Sequence, residues 1–308
     1  MNMMEVNYIS IKQNDDYVTK LTYFSSPKKP KASILILHGM AEHHKRYYDF
    51  AEYLVGLGYD VFLYDHRGHG TDKKLSELGF FSNNKGYQLV IDDAILVSKY
   101  IEKNNRSSKF FLFAHSMGSL IARNVIQAYD KYSGVILCGT SYPIKPVLMA
   151  GLILTSLVKK IKGHRYISPF LNKMILGNKN YIKLSDRTIY DWLTRSHSVV
   201  GAYINDPYCG FICTTSFYHD LLRLTTNAAN RKLIELTRKE LPIFIISGEK
   251  DPVGGFGRDI KRLLTVYKKL GFTNVSYKIY PECRHELLNE LTKDEVYSDI
   301  HHWISKRI

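Results

Sequence analysis

A chain of 308 residues, 45% hydrophobic and 23% charged, can bury one large core and carry an insertion, and it is too apolar for a disordered chain. The formal net charge of +14, from 43 Lys/Arg against 29 Asp/Glu, favours anionic partners such as a lipid surface. No glycine-rich RNA-binding run, zinc finger or basic recognition helix accompanies it, so no specific nucleic-acid role is expected.

The first eight residues show neither the basic start nor the apolar stretch of a secretory leader. The longest apolar run, near 147–158, is interrupted by Thr155 and Ser156 and is shorter than the roughly 20 residues that cross a bilayer. Cytoplasmic residence is the expectation. A hairpin is expected next, with extended stretches at 6–11 and 17–24 about a turn at Asn14-Asp15-Asp16. Short apolar runs then predict strands at 33–37, 60–64, 109–114, 134–138, 242–247 and 275–279. Helical spacing predicts helices at 47–57, 87–102, 116–129, 260–270 and 293–304. Ile34-Leu35-Ile36-Leu37 and Phe110-Phe111-Leu112-Phe113 are apolar on consecutive positions, as in strands covered on both faces. The fold class is therefore α/β, a mostly parallel sheet with helices on both faces.

The alternation breaks after Cys138 and resumes at Pro242. Helices are expected between them at 147–160, 187–200 and 214–224. Both ends return to one core, so 141–225 is expected to be a helical cap inserted between core segments 1–140 and 226–308. It holds 11 Lys/Arg against 4 Asp/Glu. Four cysteines are too few for a disulfide framework. Cys209 and Cys213 have no nearby Cys/His pair to complete a zinc set, so they read as reduced thiols.

The sharpest local signal is Ala114-His115-Ser116-Met117-Gly118, where a buried strand runs straight into a helix. A serine at such a junction is held in a strained turn with its hydroxyl raised above the sheet, and small flanking residues keep neighbouring backbone clear. A plain helix N-cap is the competing role for Ser116, and Ser119 is the competing nucleophile. His285, in the loop after the last strand, can reach the top of the sheet as the base. His115 is expected to point away from Ser116, and His38, His66 and His69 lie in strand-end loops. Asp251, a short turn beyond another buried strand, suits the carboxylate that orients the imidazole, with Glu249 as local competitor. The chain order Ser116, Asp251, His285 fits an α/β-hydrolase arrangement. Backbone amides would hold the oxyanion: Met117 after the nucleophile, and Met40, where Gly39 lets the loop turn inward.

Together these motifs resemble the monoacylglycerol lipase and lysophospholipase group of α/β-hydrolases, sometimes named for serine aminopeptidases. The matching segments are His38-Gly39-Met40-Ala41-Glu42-His43 with Arg46-Tyr47, and Tyr64-Asp65-His66-Arg67-Gly68-His69-Gly70. His115-Ser116-Met117-Gly118, Asn205-Asp206-Pro207, Gly248-Glu249-Lys250-Asp251 and Arg284-His285-Glu286-Leu287-Leu288-Asn289-Glu290 extend the match over nearly the whole chain. The resemblance implies a triad of Ser116, Asp251 and His285, oxyanion donors at Met40 and Met117, and a mobile helical cap beyond Thr140. Two departures stand out: Ala114 replaces a glycine, and Gly254-Gly255-Phe256-Gly257 makes the loop after Asp251 unusually glycine-rich.

The expected reaction is cofactor-free acyl transfer on the ester of a single-chain lipid, a monoacylglycerol or lysophospholipid. The competing functions are a small-molecule carboxylesterase and a non-catalytic ligand-binding homologue. Val147, Leu148, Leu152, Ile153, Leu157 and Val158, followed by Lys159, Lys160, Lys162 and Arg165, suit an acyl chain and an anionic membrane surface. The basic excess tilts the expected head group toward tolerance of phosphate. Peptide hydrolysis is disfavoured because no acidic pair is evident to clamp a free amino terminus. The oligomeric state is not legible.

Overall fold

Five consecutive-apolar runs become the buried parallel strands of an eight-stranded sheet, and the alternating, half-buried run Val275–Tyr280 adds a sixth parallel strand at its edge. The computed structural model describes residues 6–176, 181, 184 and 187–308. Its strands are β1 (Val6–Lys12), β2 (Val18–Phe24), β3 (Ser33–Leu37), β4 (Asp60–Tyr64), β5 (Phe110–His115), β6 (Gly134–Cys138), β7 (Ile243–Gly248) and β8 (Val275–Tyr280). They lie in the order β1-β2-β4-β3-β5-β6-β7-β8. The β1–β2 hairpin forms one edge, β2 runs antiparallel to β4, and every later neighbouring pair is parallel.

Core helices α1 (Tyr48–Gly56), α2 (Gly86–Asn104) and α3 (Met117–Val125) follow the first strands. Their positions explain the consecutive apolar residues. Ile34, Ile36, Phe111 and Phe113 pack with Phe50 and Leu54 of α1 on one face. Leu35, Leu37, Leu112 and Ala114 pack with Val90 of α2 and Ile121 of α3 on the other. Each such Ile, Leu or Phe side chain contributes about 1.5–3 kcal/mol when fully buried, so both sheet faces must be covered.

The chain moves from β3 to β4 on one side, then to β5 on the other. The strand order therefore reverses at β3, and the crevice beyond the carboxyl ends of β3 and β5 is where such sheets place ligands.

Between β6 and β7 come α4 (Lys145–Lys162), α5 (Pro169–Leu176), α6 (His197–Asn205), α7 (Thr215–Ala228) and the short α8 (Arg231–Ile234). The Thr214 side chain accepts the Phe217 N–H and starts α7. α4 packs along α7, and α7 along α3. Helices α9 (Arg258–Lys269) and α10 (Lys293–Ser305) complete the two faces. No described helix is long and apolar enough to cross a membrane.

The expected helix at 187–200 is corrected: 187–196 is a series of turns, and the helix begins at His197. The Asp191 carboxylate accepts the N–H groups of Arg187 and Thr188 and the Thr188 hydroxyl. Such local side-chain bonds offer the backbone an alternative to the helical ladder. α5 and α8 lie where no helix was expected. Residues 177–180, 182, 183, 185 and 186 of the expected insertion lie outside the described residues.

Candidate active site

β5 delivers the chain into the tight turn at Ser116, which has φ 51° and ψ −119° and immediately precedes α3. The Ser116 N–H donates to the Cys138 carbonyl of β6 (2.9 Å), tying the turn to the sheet. Gly118 is required by close approach: a Cβ there would lie 2.5 Å from the Leu37 carbonyl oxygen and 2.6 Å from that of His38. Ala114 fits in place of glycine because it remains in the strand, paired with Leu37 and Leu137, without a positive φ. The competing hydroxyl of Ser119 donates to the Ser116 carbonyl at 2.6 Å.

The loops beyond β7 and β8 meet Ser116 from the other side. His285 Nε2 lies 2.9 Å from Ser116 Oγ, and its Nδ1 lies 3.0 Å from Asp251 Oδ1. Asp251 is fully buried. The Val253 N–H donates to its Oδ1 at 2.8 Å and holds it in place. Gly255, Phe256 and Gly257 all take positive φ, which turns the chain sharply after Asp251 into α9. Glu249 instead points outward, accepting the Glu282 N–H. Burial disfavours the charged imidazole of His285. The charge and hydrogen bond of Asp251 outweigh it, aided by Glu286 and Glu42, and raise the His285 pKa above its ordinary value.

The loop after β3 lies across from this relay. Gly39 N–H donates to Glu42 Oε1, and Ala41 N–H to His69 Nε2 at 3.2 Å, with Met40 between them. Met117 is the first residue of α3 and, like Met40 and Ser116, faces the cavity described below. His38, His66 and His69 form a packed group beneath the loop, with His38 4.3 Å from His66 and 5.3 Å from His69. Burial drives all three pKa values down, to about 3 for His66 and about 4 for His69, so they act as neutral supports.

The packing around His285 eludes a sequence reading. His115 does not point away from the site: its ring packs 4.7 Å from that of His285, and burial keeps it neutral. Trp192 packs 5.2 Å from the His285 ring, and the backbone carbonyls of Trp192 and Leu193 accept the N–H groups of His285 and Glu286.

An acidic pair is also present, correcting the expectation. Arg46 donates to Glu42 and, through two nitrogens, to Glu286 at 2.7 and 2.6 Å. Burial opposes ionisation of both carboxyls. At Glu42 burial prevails and raises the pKa, whereas at Glu286 the Arg46 charge overcomes it and holds the carboxyl at about 2. Arg46 thus occupies the pair that an amino terminus would need. Arg46 stands in a segment that carries the family resemblance, but its partner Glu286 lies 240 residues away.

Cys209 also has closer neighbours than the sequence indicates. Its sulfur lies with donor atoms of His43 and Asp206, all within 4.8 Å of one another. His43 Nε2 is already 2.8 Å from Asp206 Oδ2, and His43 Nδ1 is buried without a partner. A metal on Nε2 would put the proton on that unpartnered nitrogen, so the group fits a hydrogen-bonded pair beside a thiol better than a metal site. All four cysteines are buried and unpaired.

Ser116, His285, Glu42 and Glu286 face a cavity of about 900 Å³. Its remaining wall is mainly apolar and includes Leu148, Gly151 and Leu154 of α4, Leu171 of α5, and Leu221 of α7. The expected single apolar surface of α4 is divided in two. Leu148 and Leu152 are buried, whereas Val147, Ile153 and Leu157 are exposed.

The sheet topology, the inserted helices and the strained serine junction define an α/β-hydrolase of the serine-hydrolase class. Over residues 28–292 the chain matches the family model described as Serine aminopeptidase, S33, and it belongs to that family. It is 28% identical to the monoglyceride lipase of Mus musculus over 290 residues, covering 93% of this chain and 86% of that protein. It is 26% identical to the probable lysophospholipase L2 of Haemophilus influenzae over 302 residues, covering 95% and 88%. In fold it is similar to a highly thermostable carboxyl esterase from Bacillus coagulans in complex with glycerol, with TM-score 0.90, 24% identity and 99% coverage of both chains. These relationships support a general serine-hydrolase or esterase activity on lipid-like esters.

Proposed function

We propose that this protein hydrolyses the carboxylic ester of a single-chain lipid, with Ser116 as nucleophile, His285 as base and acid, and Asp251 as the orienting carboxylate. The observation that carries this reading is the continuous relay from Ser116 Oγ through His285 to Asp251, opening onto a mainly apolar cavity. As Oγ bonds to the ester carbon, its proton passes to Nε2, and the carbonyl π electrons move to oxygen facing the Met40 and Met117 amides. Collapse breaks the bond to the alcohol oxygen, which takes the proton from Nε2. Water then repeats the sequence, its proton passing to Nε2 and back to Ser116 Oγ as the fatty acid leaves. No cofactor enters this scheme.

The polar end of the cavity favours a neutral head group. Glu42 and Glu286 line it, and Arg46 supplies one positive charge between them. A phosphate there would find Arg46 already committed to Glu42 and Glu286, and would be buried beside the Glu286 carboxylate without a cation of its own. This reverses the tilt toward phosphate drawn from net charge, and monoacylglycerol becomes the preferred substrate over lysophospholipid.

The segment 141–225 acts as a cap in this reading. The exposed row Ile153, Leu157 and Ile161, beside Lys159, Lys160 and Lys162, supports its contact with an anionic lipid surface. Four unpaired cysteines suit a reducing, cytoplasmic setting.

Release of oleate from monooleoylglycerol and from lysophosphatidylcholine is the test. The first should be faster, and Ser116→Ala should lower both by about 10³-fold or more. Normal turnover by the alanine variant, or turnover confined to short soluble esters, would overturn the reading.

A further inference from the structure

Arg123 follows Ser116 by two turns on α3 and is a buried cation, 2% exposed. Its Nη1 donates to the Ser141 carbonyl at 2.7 Å and to Thr140 Oγ1 at 3.4 Å, and its Nη2 donates to the Ala228 carbonyl at 2.6 Å. Thr140 and Ser141 are where the chain leaves β6 toward α4, and Ala228 ends α7. One guanidinium therefore grips both roots of the helical insertion.

The neighbours repeat the pattern. Asn124 Nδ2 donates to the Leu224 carbonyl of α7 at 3.0 Å. Tyr142, whose ring lies 5.6 Å from the Arg123 guanidinium, donates its hydroxyl to the Ala229 carbonyl at 3.3 Å. Burying a cation is costly unless its donors are met. Here carbonyl and hydroxyl oxygens meet both Nη atoms, while Nε is buried without a partner, so the two roots supply the polar contacts that hold the group. A planar fork reaches both separated chain segments at once with little loss of freedom, a geometry that the single ammonium of lysine reproduces only in part.

α4 and α7 supply much of the apolar wall, including Leu148, Leu154, Leu221 and Thr225. Thr225 lies within one turn of the gripped Ala228. The distance from Ser116 to that wall is thus set along α3, through Arg123. We propose that Arg123 is a positioning residue for the acyl chain: it fixes both roots of the insertion relative to Ser116 and so sets which ester lengths are accepted. This rests on the esterase reading above.

The test is Arg123→Met, which keeps side-chain length and removes the donors, with Arg123→Lys beside it. Turnover of p-nitrophenyl esters from acetyl to palmitoyl is measured with fluorophosphonate labelling of Ser116 and backbone hydrogen exchange. In the Met variant, labelling and acetyl-ester turnover should stay within about threefold of the parent. The kcat/KM for long esters should fall about tenfold or more, mainly through KM. The Lys variant should lie between them, and exchange should rise at 140–146 and 224–231. A chain-length profile parallel to the parent's would overturn the proposal. If Arg123→Met does not fold, Asn124→Ala, which loses the bond to Leu224, must shift the profile in the same direction, and an unchanged profile there overturns it equally. A parent inactive on every ester would instead dismiss the esterase reading, while the exchange difference would still report on the grip.

Discussion

At φ 51° and ψ −119°, Ser116 stores about 1–3 kcal/mol of backbone strain, which the packing of Gly118 on the β3 carbonyls and the bond to Cys138 sustain. That strain points the hydroxyl at an imidazole whose protonation is governed by its neighbours. Only neutral His285 can accept a proton. Its pKa is raised, so kcat/KM should climb with pH through a midpoint above the ordinary value of about 6.5. Asp251→Asn removes the charge that raises the pKa and leaves burial, which lowers it. The midpoint should therefore move down while plateau activity falls by about 10²–10⁴-fold, read from pH–rate profiles on a soluble ester. A midpoint that stays or rises would detach Asp251 from His285. Ser116, Asp251 and His285 are legible in the sequence because each sits at the end of a short apolar run, where topology places loops on one side of the sheet. Trp192 and the Arg46–Glu286 pair are not, since they depend on how distant loops pack.

α4 shows how an element can serve two environments. Its buried face meets α7 and the cavity, and its outer face carries Ile153, Leu157 and Ile161 beside lysines. Exposed apolar residues in such number mark an interaction surface more often than chance exposure. Ile153→Glu/Leu157→Glu, both outside the cavity wall, should reduce sedimentation with anionic vesicles at low salt and leave soluble-ester turnover unchanged. Equal sedimentation by variant and parent would remove the membrane contact. Apolar spacing reveals that α4 is a helix but not which residues face outward, because both faces are apolar. At 187–196 spacing misleads outright, since the carboxylate of Asp191 captures amides that a helix would need.

At the scale of the molecule, the sheet does the assembling. Apolar runs on consecutive residues mark five of the six parallel strands, β8 at the edge being alternating and half-buried, and their alternation with helices makes the fold readable from composition and spacing alone. The reversal of strand order at β3 then opens the crevice into which loops 38–43, 115–117, 248–257 and 281–286 converge. Ser116 and His285 lie 169 positions apart and still come within 2.9 Å. The positive charge, by contrast, says little about the site, whose buried ionisable side chains are largely carboxylate and imidazole. The direct measurement is covalent labelling by a fluorophosphonate, mapped by peptide mass spectrometry. One adduct on Ser116 is expected, absent in Ser116→Ala and formed far more slowly in His285→Ala. An adduct elsewhere, a folded parent that takes no label, or a His285→Ala variant labelled at the parent rate would contradict the account.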